Sequence, residues 1–526
     1  MPLERTSDTP PVILIGLDAA EIDVVDRLVA DGRMPNLARL RQQGHWGRLQ
    51  TEPPHFLSLV WSTFFSGLRL GEHAWYFGKI WNPDRQRLQH IDPAWLPLQP
   101  FWLSLDPSYR VAILDLPYAT SLPARPNMTV LNGWQCHDDF GHNALPSGLW
   151  AQLSERYGKP RMTPEVFGPQ DAATLLAQRQ EVLDGNRQFA EVCRDLLTHD
   201  RFDLFLAVFG LVHRGSHYLW DLSQIDRVDD GPTRAVLEGS LDDCYTSADE
   251  ALGRVLDAAP PNARVIVFAL HGMGPNDGWY EFLPRILQRI HQGASGAPDR
   301  SGILFRLRQA LPWTLVRQVT RRIPTAWNHA LIPLWSRRMH DWPNTKYFAL
   351  PMDYNGYIRL NLEGREKHGC VEPGDADRVI AEVDAALRSF RDIVTGKPVI
   401  RGTVRVDELV SPTAPRRRFL PDLVVLWDPP GPVWASSGVV SDQFGEIRWP
   451  QGRKLASGRS GNHTPHGWFV ARGPGIPPGP SARTYDTADL MPTVFQWLGA
   501  PQPPHFSGRP IEELLGDYRA SPITSR

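Results

Sequence analysis

Val12-Ile13-Leu14-Ile15-Gly16-Leu17-Asp18 is a continuous apolar run that ends in a glycine and an aspartate. A run of this length without polar alternation is typical of a parallel strand that is buried on both faces of a sheet. In open sheets of this kind the chemistry lies at the carboxyl ends of the strands. We therefore predict a buried parallel strand here, with Asp18 as the first candidate for a functional residue.

The rest of the chain repeats this pattern of apolar runs separated by helical segments. The other short apolar runs are Val111–Leu116, Phe202–Gly210, Arg264–Leu270 and Leu423–Trp427. Helical patterns occur at 21–31, 35–43, 170–198 and 236–258. Strands that alternate with helices predict an α/β fold with a mostly parallel central sheet and helices on both faces.

Residues 294–343 are rich in arginine and tryptophan, keep helical periodicity, and are interrupted by prolines. We interpret this segment as a helical cap inserted over the site. A surface helical hairpin with solvated arginines is the alternative, and a basic helix lying on a membrane is a third interpretation. The catalytic core would then comprise residues 1–293 and 344–515, and residues 516–526 would form a disordered tail.

The charge balance and the cysteine pattern exclude several functional classes. The 56 basic and 58 acidic residues give a formal net charge of -2, so no global field attracts nucleic acid. The cysteines Cys136, Cys193, Cys244 and Cys370 form no CxxC pair, so neither a disulfide framework nor a cysteine zinc site is expected. No signal peptide or transmembrane segment is recognisable, and we expect a cytoplasmic protein. The oligomeric state is left open.

Histidines follow several predicted strands and form a candidate metal site together with Asp18. His213 and His217 come shortly after one apolar run, His271 comes directly after another, and His463 precedes a third. On a helical turn, residues four apart such as His213 and His217 share a face and can bind one ion. A lone histidine at a strand end is usually structural, but four ligand-bearing segments in equivalent places favour a metal site.

Several motifs, taken in their order along the chain, carry a family resemblance. They are Gly16-Leu17-Asp18-Ala19-Ala20-Glu21, Met34-Pro35-Asn36-Leu37-Ala38-Arg39-Leu40, Trp61-Ser62-Thr63-Phe64-Phe65-Ser66-Gly67, Gly71-Glu72-His73 and Asp489-Leu490-Met491-Pro492-Thr493. Together with the ordered histidines, they make the chain similar to the type I phosphodiesterase/nucleotide pyrophosphatase branch of the alkaline phosphatase superfamily. No single motif is specific for that superfamily, but the ordered set is.

The resemblance implies an alkaline-phosphatase-like fold and a site for two metal ions, usually zinc. In that family an Asp/His/His site lies beside an Asp/Asp/His site, and a threonine or serine at a helix N-terminus attacks phosphorus. Two cations neutralise the phosphoryl group and lower the pKa of the attacking hydroxyl, and the helix terminus favours the added negative charge.

This sequence departs from the family pattern at three positions. His213 stands where the family has the first aspartate of its Asp-x-x-x-His pair, and Leu270 replaces the aspartate beside His271. Leu57 occupies the usual nucleophile position, ten residues before Gly67. These departures affect the metal ligands and the nucleophile separately.

The departures predict one firmly bound zinc ion and an uncertain second divalent ion. The first site keeps three imidazole ligands, from His213, His217 and His463, which is a set typical of catalytic zinc. The second keeps only Asp18 and His271, and two protein ligands bind an ion weakly unless the substrate completes its coordination. Glu21 could supply a further oxygen, although a position on a solvated helix face is the likelier alternative for it.

We predict Ser58 as the nucleophile, because one residue of slippage would place it at the start of a helix over 58–66. Ser62 and Thr63 are the alternatives on the same helix. If Ser58 is only an N-cap, which is common for serine, a metal-bound hydroxide could attack phosphorus directly.

The sequence therefore predicts a metal-dependent hydrolase of phosphodiesters or related phosphate esters, acting on a small-molecule anionic ester. A sulfate or phosphonate ester hydrolase, or a transferase, would use the same chemistry. A non-catalytic descendant that binds an anionic ligand is the alternative from a different class, and a membrane-associated lipid headgroup transferase is another.

Overall fold

The computed structural model describes residues 9–57, 60–90, 99–136, 141–160, 170–222, 231–277, 279–293, 340–350, 355–428, 431, 436–449 and 458–516. Its strands are β1 Val12–Leu17, β2 His45–Gln50, β3 Lys79–Asn82, β4 Arg87–His90, β5 Val111–Leu114, β6 Met128–Asn132, β7 Asn143–Leu145, β8 Leu204–Phe209, β9 Arg264–Ala269, β10 Gly272–Pro275, β11 Tyr347–Leu350, β12 Gly356–Leu360, β13 Arg391–Asp392, β14 Ile400–Arg405, β15 Leu423–Trp427, β16 Gly438–Ser441, β17 Gly445–Arg448, β18 Gly461–Thr464, β19 His466–Arg472, β20 Gly479–Pro480 and β21 Tyr485–Asp486.

The α-helices of the described residues vary from one turn to about eight turns. They are α1 Ile22–Ala30, α2 Pro35–Gln43, α3 Val60–Ser66, α4 Leu70–His73, α5 Leu149–Tyr157, α6 Ala172–His199, α7 Leu211–Leu219, α8 Pro232–Glu238, α9 Ser240–Ala258, α10 Leu283–Gln292, α11 Ala376–Arg388, α12 Val406–Leu409 and α13 Leu490–Leu498. None of them is long and apolar enough to cross a membrane.

The central sheet has the order β20-β2-β19-β9-β1-β8-β5-β6-β7. Its middle five strands, from β9 to β6, are all parallel. β19 is antiparallel to both of its neighbours, and β7 is antiparallel to β6. The predicted mostly parallel sheet is confirmed, with β1 at its centre.

Helices cover both faces of this sheet. Successive side chains of a strand point to opposite sides, so alternate residues of β1 pack in two different cores. Val12 and Leu14 of β1 pack in one core with residues of α3 and α13. Ile13 and Ile15 pack in a second core with residues of α1, α6 and α9. Gly16 permits the close approach of α3, since a Cβ there would lie 3.1 Å from the Trp61 ring.

Most predicted elements agree with the structure, and two differ. The helical pattern at 236–258 is divided at Gly239 into α8 and α9. Leu423–Trp427 does form a strand, but it does not belong to the central sheet. It lies in a separate antiparallel sheet of order β11-β12-β15-β14. β15 pairs antiparallel with both of its neighbours. The connection from β14 to β15 contains no long crossover helix, which parallel pairing of these two strands would need.

A buried ion-pair network anchors this second sheet. Arg359 on β12 is fully buried, and its guanidinium pairs with Glu366 at 2.7 Å. The other carboxylate oxygen of Glu366 accepts the indole N–H of Trp81 on β3 at 2.8 Å. The network therefore connects the second sheet to the β3–β4 hairpin.

The predicted cap and tail lie almost entirely outside the described residues, which omit 294–339 and 517–526. The division into core, cap and tail stays a prediction. All four cysteines are free thiols, and the cytoplasmic location also stays a prediction.

Candidate metal centre

The candidate site lies where the carboxyl ends of three neighbouring parallel strands meet. Asp18 follows β1, the helix α7 follows β8 and carries His213 and His217, and His271 follows β9. β9, β1 and β8 are adjacent in the sheet. The fourth segment arrives from the C-terminal part of the chain, where β18 pairs with β10 and places His463 opposite Met273. The topology thus brings all five predicted ligands together.

Three imidazoles converge through their Nε2 atoms. His213 Nε2 lies 2.9 Å from the Nε2 atoms of both His217 and His463. His217 Nδ1 lies 2.9 Å from the carbonyl oxygen of Gly461. When Nδ1–H donates to that carbonyl, Nε2 of His217 keeps a lone pair that faces the other two rings. Acceptor nitrogens this close repel each other unless a cation lies between them, so the residues fit a metal ion of the zinc type.

The environment keeps His217 and His463 in the neutral form that binds metal. Burial lowers the pKa of His217 well below its ordinary value, and the positive charge of Arg459 adds to this effect. Burial likewise lowers the pKa of His463, with further contributions from His271 and His213. His217 and His463 are almost completely buried, whereas the His213 side chain is 30% exposed. Solvent or substrate therefore reaches the cluster from the His213 side.

Asp18 lies next to this cluster but faces different atoms of it. Its Oδ2 is 3.0 Å from His213 Nδ1, and its Oδ1 accepts the indole N–H of Trp61 at 3.0 Å. His271 Nε2 is 3.5 Å from Oδ1. Burial opposes ionisation of Asp18, but its interactions with His213 and His271 hold its pKa well below the usual range.

The second metal position of the family has few ligands here. His271 Nδ1 lies 3.1 Å from the carbonyl oxygen of Gly272, which leaves Nε2 directed at Asp18. Leu270, at the position of the family aspartate, is fully buried in the apolar core and offers no ligand atom. Asp18 and His271 are the remaining predicted ligands of that position.

Glu21 does not lie on a solvated helix face, and that expectation is corrected. It is 5% exposed and is the N-cap of α1. Its Oε2 accepts the backbone N–H of Met273 at 2.9 Å and the hydroxyl of Thr464 at 2.7 Å. These two hydrogen bonds hold the β10–β18 ribbon against the end of β1, because a buried carboxylate is stable only when donors surround it. Glu21 thus positions the ribbon that carries His463.

The predicted nucleophile Ser58 lies outside the described residues, and α3 begins at Val60. The hydroxyl of Ser62 is buried and donates to the carbonyl of Trp75 at 3.3 Å. Thr63 Oγ1 is 3.2 Å from the ring of His73. Both alternatives on α3 are therefore engaged in contacts inside the protein core, and Ser58 stays the predicted nucleophile.

Two contributors to the site have no clear signal in the sequence. Trp61 belongs to an aromatic-rich helical pattern, and nothing in that pattern indicates that its indole donates a hydrogen bond to Asp18. Arg459 acts electrostatically on His217 and His463, and its only signal is its position four residues before His463.

Comparison with known proteins identifies the family. The family model of type I phosphodiesterase/nucleotide pyrophosphatase matches residues 12–436, so the match includes all predicted ligands except His463. No curated protein matches the sequence.

Solved structures share the fold at low sequence identity. The alkaline phosphatase PafA is similar at 15% identity with a TM-score of 0.53, over 97% of this chain and 100% of that one. Phosphonoacetate hydrolase from Sinorhizobium meliloti in complex with phosphonoformate has 15% identity and a TM-score of 0.48, covering 94% and 96% of the two chains. Inactive murine ectonucleotide pyrophosphatase/phosphodiesterase 5 in complex with AMP has 12% identity and a TM-score of 0.47, with the same coverage.

Proposed function

The chain belongs to the type I phosphodiesterase/nucleotide pyrophosphatase family and is a hydrolase that acts on ester bonds; from this premise we propose that it binds one zinc ion through His213, His217 and His463. We propose further that it hydrolyses phosphodiesters or related phosphate esters of small anionic molecules.

The main support for this proposal is that the Nε2 atoms of His213, His217 and His463 lie close together. His213 Nε2 is 2.9 Å from each of the other two, and a set of three imidazoles with an open fourth position is typical of catalytic zinc. A bound zinc ion would act as a Lewis acid on a phosphoryl oxygen. In the described part of the chain, these residues are the only group of three or more metal-binding side chains close enough to share an ion.

The chain's own residues would prepare this site for an anionic substrate. The guanidinium of Arg459 places positive charge near His217 and His463, which favours an anion beside them. Leu270 and Leu57 are both almost fully buried and bring no negative charge to the site. Ser58, one residue after Leu57 in the chain, is the hydroxyl that we assign to the attack on phosphorus.

The test combines elemental analysis with three model substrates. Protein purified without chelator should contain about one zinc ion per chain and should hydrolyse bis-p-nitrophenyl phosphate, p-nitrophenyl phosphate or p-nitrophenyl sulfate. The best of the three substrates identifies the ester class. His217→Ala should lose the zinc and lower kcat/KM by more than about 100-fold, since even outer-shell changes cost 10–100-fold.

His199→Ala serves as the matched control, because His199 is an exposed histidine at the end of α6, with its side chain 68% exposed. Its zinc content and activity should equal those of the unmodified protein. Absence of zinc together with no turnover on any of the three esters would refute the proposal and favour an anion-binding protein of the same fold.

A further inference from the structure

The second metal site of this family is expected to use Asp18 as a ligand, but the contacts of this carboxylate are of another kind. We propose that Asp18 is a positioning residue for His213 rather than a ligand of a second ion, and that Trp61 holds its carboxylate in place. This inference rests on the proposed zinc site and specifies how one of its three ligands is oriented.

His213 is the only one of the three clustered imidazoles that contacts Asp18 as well as the other two rings. Its Nδ1 is 3.0 Å from Asp18 Oδ2, while its Nε2 is 2.9 Å from the rings of His217 and His463. A carboxylate at Nδ1 requires that this nitrogen carries the proton, which leaves the Nε2 lone pair for a metal. Carboxylates in this position orient the ring and raise the basicity of the ligand.

Trp61 fixes the carboxylate from its other side. An indole N–H can only donate, and it contacts Asp18 Oδ1 at 3.0 Å. The ring itself is 2% exposed and packs edge-on against Phe64, with centroids 5.5 Å apart. Since Asp18 is also buried, both of its oxygens are held by side chains on helices, His213 on α7 at one oxygen and Trp61 on α3 at the other.

The described residues around Asp18 fit a second ion poorly. Among them, the further imidazole in contact with the carboxylate is His271, whose Nε2 is 3.5 Å from Oδ1. Leu270 is apolar, and the Glu21 carboxylate is occupied by Met273 and Thr464. A divalent ion at this place would have one imidazole and one carboxylate that already accepts two other hydrogen bonds. The family's aspartate is retained, but it serves a ligand of the first ion.

The experiment measures zinc stoichiometry and zinc affinity by competition with a chromophoric chelator, in the full-length protein. Asp18→Asn should still bind about one zinc ion but 10–100-fold more weakly, which is the usual effect of removing an outer-shell carboxylate. Trp61→Phe should weaken zinc binding about fivefold, the effect of one lost hydrogen bond. His271→Ala should leave the stoichiometry at about one.

Trp75→Phe is the matched control, because Trp75 is equally buried and its indole nitrogen has no hydrogen-bond partner among the described residues. It should leave zinc affinity unchanged. The ¹⁵N NMR signals of His213 provide a readout that a general loss of stability would not move. They should show a protonated Nδ1 in the unmodified protein and a mixture of tautomers in Asp18→Asn.

Two results would overturn the inference while leaving the proposed function intact. One is two zinc ions in the unmodified protein and one in both Asp18→Asn and His271→Ala, which would make Asp18 a ligand. The other is unchanged zinc affinity in Asp18→Asn with one ion bound. An unmodified protein that binds no zinc would instead overturn the proposed function, and this inference with it.

Discussion

At the scale of single residues, the Asp115 carboxylate at the end of β5 organises a whole loop. It is fully buried and accepts the backbone N–H groups of Gly133, Trp134, Gln135 and Cys136. These donors follow β6, the neighbouring strand, and would otherwise be buried without partners. Asp115 therefore fixes the path of the chain after β6.

Asp115→Asn should lower the free energy of unfolding by about 1–3 kcal/mol, because an amide NH₂ would face backbone donors and leave them unsatisfied. Urea denaturation measures this difference. Asp106→Asn is the control, since Asp106 is exposed and accepts one backbone N–H, from Ser108; its effect should stay within about 0.5 kcal/mol. Equal effects of the two variants would contradict the role assigned to Asp115.

That Asp18 and the histidines lie close together could be predicted from the sequence, whereas the contacts that orient them could not. Asp18, His213 and His271 each follow an apolar run, and the ends of adjacent parallel strands converge. The hydrogen bond from the Trp61 indole to Asp18 depends on how α3 packs against β1. Neither secondary-structure propensity nor hydrophobic periodicity encodes such a tertiary contact. The sequence predicts a solvated helix face for Glu21 for the same reason, since the groups that donate to it, the Met273 N–H and the Thr464 hydroxyl, come from distant segments.

At the scale of elements, the β10–β18 ribbon positions His463 and depends on Glu21. Glu21→Gln should lower the free energy of unfolding by about 1–3 kcal/mol, since a neutral amide oxygen accepts the Met273 N–H and the Thr464 hydroxyl more weakly than a carboxylate does. It should also weaken zinc binding, because the ribbon carries a ligand. Urea denaturation and chelator competition measure the two effects.

Glu250→Gln, at an exposed position on α9, is the control and should change neither quantity. A Glu21→Gln protein with normal zinc affinity would show that the ribbon is held by its strand pairing alone.

The elements themselves could be predicted where an apolar run is long or a helical period is sustained, as in β1, β8, β9 and α6. The strand Leu423–Trp427 could be predicted but its sheet could not, because composition does not encode the pairing partner of a strand. The direction of pairing depends on the length of the connection between two strands. β14 and β15 are joined without a crossover helix of the length that parallel pairing needs.

At the scale of the whole molecule, the Arg359–Glu366 pair connects the second sheet to the β3–β4 hairpin through Trp81. Glu366→Gln should lower the free energy of unfolding by about 3–5 kcal/mol, because it removes the carboxylate that pairs directly with the buried guanidinium of Arg359. Denaturation followed by tryptophan fluorescence measures the change.

Glu382→Gln is the matched control, because Glu382 forms an exposed ion pair with Arg378 on α11. Pairs of this kind contribute about 0–1 kcal/mol. If the two substitutions had equal effects, the second sheet would not depend on its buried charges.

The position of β19 has a consequence for how the protein is made. This strand lies between β2 and β9 in the central sheet, although it follows them by hundreds of residues in the chain. On the ribosome, β2 and β9 are synthesised long before the strand that joins them, so each has an unpaired edge until β19 emerges. β18, which carries His463, emerges just before β19. The joining of β2 to β9 and the completion of the metal centre therefore occur at the same late stage of synthesis. A chain that ends before β18 and β19 lacks both the joined sheet and the third histidine of the centre.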